Sequence, residues 1–98
     1  MHGTEYGLKA NVVEEIISLA QKYNIDRLVL FGSRAWGTYS RASDIDLAVY
    51  GGNVNGFATD AEETVQTLLR FDVVDMGVKL SEKFREQIER GIVLYAKV

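Results

Sequence analysis

Apolar residues recur along this chain in two rhythms. Val12, Val13, Ile16, Ile17, Ala20 and Tyr23 fall three and four apart, with Glu14, Glu15, Ser18, Gln21 and Lys22 on the other side. That is the pattern of a helix with one buried stripe. Asn11, with Glu14 three residues on, has the form of an N-cap and its capping-box partner, and Asn24 of the helix end. Arg27–Phe31 is a near-continuous apolar run, as expected of a buried strand. A short helical turn over Arg34–Gly37 and a loop to Ser43 separate it from a second strand, residues 44–50, in which Asp44, Asp46, Ala48 and Tyr50 alternate with Ile45, Leu47 and Val49. Thr59 with Glu62 predicts a second helix running to about Arg70, with Val65, Leu68 and Leu69 toward the core. Phe71–Met76 is a third strand. Ser81 caps a third main helix with Phe84 and Ile88 inward and Glu86 spaced to pair with Arg90; Gly91 ends it in a left-handed cap, and Ile92–Ala96 is a fourth strand.

These elements predict an α/β (α+β) fold: a small mixed sheet of about four strands packed against helices. At 98 residues it is one domain, residues 1–98, with residues 1–10 as a loose N-terminal arm and His2 a terminal residue without a role. Apolar residues make up 47% and charged residues 26%, as in an ordinary soluble globule, and no apolar run is long enough to span a bilayer. The lack of cysteine removes disulfides and thiolate metal sites and fits a cytoplasmic protein. A single histidine argues against a histidine-based zinc site or a Ser-His-Asp triad. The net charge is −3, without a cluster of Lys or Arg, so the chain does not suit gripping a nucleic-acid template. If it handles phosphates, metal ions must carry most of the compensating charge.

The chemistry concentrates in Gly32-Ser33, ten residues, then Asp44-Ile45-Asp46. Alternation places Asp44 and Asp46 on one strand face, about 7 Å apart at the Cα atoms. Two like charges this close call for a cation between them, and oxygen-only ligands suit Mg²⁺ or Mn²⁺. On the third strand either Asp72 or Asp75 can join them, but not both if the strand is regular. Three such carboxylates can hold two metals about 3.5–4 Å apart for an in-line displacement at phosphorus. Gly32 lets backbone approach a phosphate, the Ser33 hydroxyl can donate to it, and Arg34 is the nearest guanidinium. Each piece has a blander explanation. Asp-x-Asp alone is more often a solvated strand edge, and Gly-Ser more often a plain turn. Arg41 reads as a surface charge, Asp75 as a strand-end residue, Trp36 as a packing ring rather than a base platform, and Ser43 as a local bond steadying the turn into Asp44. The combination after a buried strand, with Asp72 downstream, is what favours a site.

At these residues the chain resembles the minimal nucleotidyltransferases (MNT) of the DNA polymerase β superfamily. The resemblance rests on Phe31-Gly-Ser-Arg-Ala-Trp-Gly37, Ser43-Asp-Ile-Asp-Leu-Ala-Val49, Asp72-Val-Val-Asp75 and Gly91-Ile-Val-Leu-Tyr95, and covers nearly the whole chain after residue 11. It implies a polymerase β palm-like fold and two Mg²⁺ ions held by Asp44 and Asp46, with Asp72 as third carboxylate and base. It also implies that Gly32 and Ser33 hold the β and γ phosphates of ATP, and that AMP is transferred to a hydroxyl with release of pyrophosphate. Trp36 departs from relatives that carry a basic residue there. Minimal members are often encoded beside a helical HEPN-type protein, and some act as antitoxins that adenylylate a tyrosine of that toxin; such a partner would also close a catalytic face this small. Two rivals stay open at this point, contact-only neutralisation of a partner and transfer to a small molecule, as does a homodimer.

Overall fold

The computed structural model describes residues 4–97; Met1, His2, Gly3 and Val98 lie outside the described residues. The chain opens with a two-stranded antiparallel hairpin, β1 (Thr4–Glu5) and β2 (Leu8–Lys9), rather than a loose arm. Tyr6 and Gly7 both take positive φ, 57° and 71°, as a two-residue turn matched to strand twist requires. Leu8 is buried in the core and anchors it. Helix α1 (Ala10–Lys22) follows directly, with Lys9 at its N-cap and no side-chain cap. Asn11 is therefore inside the first turn: the hairpin, not a capping box, sets where α1 begins. Tyr23 caps the other end and Asn24 turns left-handed, with φ 58°.

Four strands then build one mixed sheet in the order β5-β4-β3-β6. β3 (Arg27–Phe31) lies antiparallel to both β4 (Ile45–Tyr50) and β6 (Ile92–Ala96), while β4 and β5 (Phe71–Asp75) run parallel. A parallel pair needs a crossover, here α3 (Val54–Thr64). That helix begins six residues earlier than the Thr59 cap predicts. Asn53 is its N-cap, its Oδ1 accepting the Gly56 N–H at 3.0 Å. Asn55 and Gly56 have the composition of a loop, yet burial of Val54, Phe57 and Ala61 on one side carries the segment into a helix. The helix stops at Thr64, so Val65 packs from an extended cap while Leu68, expected in the core, stands fully exposed at 104%.

The sheet is covered on both faces. Under α1 and α3, Ile45, Leu47 and Val49 meet Leu28, Leu30, Ile16 and Phe57. On the other face, α4 (Glu82–Glu89) covers Val29, Phe31 and Ala48 with Ile88 and Phe84. Ser81 caps α4 as expected, accepting the Phe84 N–H at 3.2 Å. Gly91 is not left-handed; it is required because a Cβ there would lie 2.4 Å from the Leu30 carbonyl oxygen of β3. Glu86 and Arg90 do not pair: the ion pair found among the described residues is Lys22–Asp60, at 2.9 Å. Because α4 is only eight residues long, it covers part of its face and leaves the end carrying Asp46 and Asp72 more open.

Candidate active site

The site grows from strand register. Asp46 of β4 lies opposite Phe31 of β3 on one side and Asp72 of β5 on the other. Partners in register present their side chains to the same face, so Asp72 joins Asp46, and the choice left open between Asp72 and Asp75 is decided. Asp75 ends β5 on the opposite face, where its Oδ1 accepts the Gly77 N–H at 2.8 Å. Asp44 is exposed one residue before β4, on the side of Asp46.

Asp46 sits in an unusual pocket of charge. Its carboxyl is pushed from 3.8 up to about 6, first by burial, then by the Asp72 and Asp44 carboxylates; Asp72 comes within hydrogen-bonding reach of it, and Arg34 opposes the rise. Phe31 supplies the dry wall, its ring edge-on to Phe84 with centroids 5.9 Å apart. Gly32 supplies the roof. Its φ of 76° and ψ of −158° belong to a region that is essentially glycine-only, and a Cβ there would lie 2.2 Å from Asp46 Oδ2. The glycine before Ser33 is thus required by the carboxylate beneath it as well as by the turn.

Ser33 opens a single helical turn, α2 (Ser33–Trp36), in which the Gly32 carbonyl accepts the Ala35 and Trp36 N–H groups at 3.1 and 3.2 Å. Gly37 closes it left-handed, with φ 83°. Trp36 is half exposed. Arg34, expected to reach a phosphate, does not face outward: it is 2% exposed and its guanidinium is committed to backbone carbonyls. Nε and one terminal nitrogen donate to the Ser43 carbonyl at 3.1 and 2.8 Å, and the other terminal nitrogen to Tyr6 at 3.1 Å. Ser43 steadies the approach to Asp44 as expected, its Oγ accepting the Ser40 N–H at 2.8 Å. Among the described residues, no three acidic side chains are gathered closely enough to enclose an ion. Asp44 acts on Asp46 through charge alone, as mutual repulsion of carboxylates dictates. The donor set, oxygen-only and surplus in negative charge, nevertheless fits a hard divalent cation.

Residues 14–98 match the family model described as Polymerase beta, Nucleotidyltransferase. The chain belongs to this nucleotidyltransferase family. A Methanocaldococcus jannaschii protein described as "putative protein adenylyltransferase" is 31% identical over 96 residues, covering 86% of this chain and 94% of the relative. A toxin–antitoxin crystal structure with AMP-PNP contains a chain 26% identical, with TM-score 0.69 over 87% of this nucleotidyltransferase and 73% of that chain. A Shewanella oneidensis structure, a tri-AMPylated HEPN toxin in complex with MNT antitoxin, matches at 21% identity and TM-score 0.62, over 88% of this chain and 71% of that one, and bears on the fold alone. The nucleotidyltransferase fold expected from the motifs is thereby confirmed, and no helix among the described residues is long and apolar enough to cross a membrane. The clamp made by Arg34 was not legible from its position beside Gly-Ser, because its partners are carbonyls, which have no sequence signature. The hairpin that supplies one of them had a signal in Tyr6-Gly7 between short strand residues.

Proposed function

We propose that this chain transfers AMP from ATP to a hydroxyl acceptor, with Mg²⁺ bound between Asp44, Asp46 and Asp72, and that the acceptor is a tyrosine of a HEPN-type toxin for which it serves as antitoxin. The observation that carries the reading is the register of Asp46 with Asp72 beneath the Gly32-Ser33 turn. A divalent cation bound there would neutralise triphosphate charge and polarise the phosphorus under attack. Asp44 and Asp46 would hold the metal that accompanies the triphosphate, while the Gly32 backbone and the Ser33 hydroxyl would take phosphate oxygens. Arg34 is left out of phosphate binding, since its donors are spent on carbonyls. Asp72, at the open edge of β5, accepts the proton of the incoming hydroxyl. The acceptor oxygen bonds to the α-phosphorus, and the α–β bridging oxygen departs with pyrophosphate.

Support for this reading comes from a relative described as a protein adenylyltransferase and from a toxin–antitoxin complex with an ATP analogue. The test is incubation of the folded protein with ATP, Mg²⁺ and its cognate HEPN protein, followed by intact mass measurement. One or more AMP additions on the partner, lost in Asp72→Asn, are expected. An unmodified partner whose toxicity is still neutralised would replace the enzymatic antitoxin role with simple contact.

A further inference from the structure

We propose that Arg34 is a positioning residue for the catalytic carboxylates, a buried fork that holds the loop entering β4 in the register the metal site needs. The proposal rests on the site reading above and extends it to a side chain that touches neither substrate nor metal. Two chain segments, the N-terminal hairpin and the loop entering β4, meet on one guanidinium. Its contacts are the Ser43 carbonyl at 2.8 and 3.1 Å, the Tyr6 carbonyl at 3.1 Å and, more weakly, the Arg41 carbonyl at 3.5 Å. The Tyr39 ring lies over it, 5.2 Å from the guanidinium carbon. Ser43 immediately precedes Asp44, so the position of the first carboxylate is set one residue away from the fork.

The cost of the arrangement argues for function. Arg34 is 2% exposed and faces carbonyls rather than a paired carboxylate. Burying a cation whose donors go to carbonyls, with no carboxylate in contact, carries a desolvation penalty that apolar packing of similar volume avoids. Only a planar five-donor group can satisfy carbonyls on both the hairpin and the β4 loop at once, which a lysine ammonium cannot do in the same geometry. The N-terminal hairpin thereby becomes part of the site's framework. Gly7 fits under this assembly only because it lacks a side chain: a Cβ would lie 2.4 Å from the Tyr39 ring and 2.7 Å from an Arg34 terminal nitrogen.

Hydrogen exchange resolved at single amides, together with Mn²⁺ titration followed by electron paramagnetic resonance, tests this on the whole protein. In Arg34→Lys the Ser43 and Ile45 amides should exchange about tenfold faster while Val29 and Leu30 keep their rates. The Mn²⁺ dissociation constant should rise by about tenfold, as when the residues that orient metal ligands are changed. In transfer assays the loss should fall on kcat, with KM for ATP little altered. Arg34→Met keeps the volume and should show the same defects; wild-type exchange and Mn²⁺ binding in it would reduce Arg34 to packing and overturn the proposal. Should the Arg34 variants not fold, Gly7→Ala decides: displacing the fork from the hairpin should raise exchange at Ser43 and Ile45, and unchanged rates there would equally overturn it. If wild type binds no Mn²⁺, the metal reading fails, while the exchange measurements still judge Arg34.

Discussion

Replacing Asp46 by asparagine should make the metal-free protein more stable at neutral pH, although it removes a carboxylate central to the proposed site. Asp46 is half-buried beside Phe31, with Asp72 in register and Asp44 nearby. Its carboxyl rises from 3.8 to about 6 in consequence. The folded chain therefore binds a proton that the unfolded chain has released, and stability present below about pH 4 is lost as pH rises through about 6. For a fully buried group that displacement corresponds to about 3 kcal/mol. Solvent reaches this carboxylate, and screening reduces the expected effect to about 1 kcal/mol. In a domain of this length that is a rise in Tm of about 4–8 °C for Asp46→Asn. The assay is thermal denaturation by circular dichroism in EDTA, from about pH 4 to about pH 7.5. The two proteins should melt together at the acid end and separate through pH 6. Adding Mg²⁺ should then close the gap by raising wild type, with much less effect on the variant. An Asp46→Asn protein less stable than wild type at neutral pH in EDTA would mean that the carboxylates are not crowded, and the reasoning about the site would fall.

Gly32→Ala forces an alanine into a glycine-only backbone region and a methyl onto Asp46 Oδ2; it should cost about 1–3 kcal/mol from backbone strain alone, read as a lower Tm, with transfer activity lost even below the melt. Ser81→Ala removes the α4 cap and should cost about 1 kcal/mol by chemical denaturation, with activity retained. Phe57→Ala, emptying a fully buried site between α3 and the sheet, should cost about 3–5 kcal/mol, whereas Leu68→Ser, at a fully exposed position, should stay within about 0.5 kcal/mol of wild type; similar effects from the two would contradict the observed end of α3 at Thr64.

The four main strands and the carboxylate strand's two-faced character were legible because alternation in β4 is local: Ile45, Leu47 and Val49 must be buried together, which places Asp46 on the other face whatever surrounds it. Ser81 was legible as a cap for the same reason, since its partner lies three residues away. The start of α3 was not, because Asn55 and Gly56 favour a loop locally and only burial of Phe57 beneath the helix overrides them. Nor was the handedness of Gly91, whose need is a close approach to Leu30 of β3, a residue far away in the chain. The proposed site divides along the same line. Gly32, Ser33, Asp44 and Asp46 announce themselves by spacing. That Asp72 rather than Asp75 joins them depends on parallel register with β4, and Arg34 is turned from a phosphate candidate into a buried clamp only by the hairpin and the β4 loop folding over it. Local periodicity assigns a residue to a face; which faces and loops meet is settled by burial and hydrogen bonding across the whole fold.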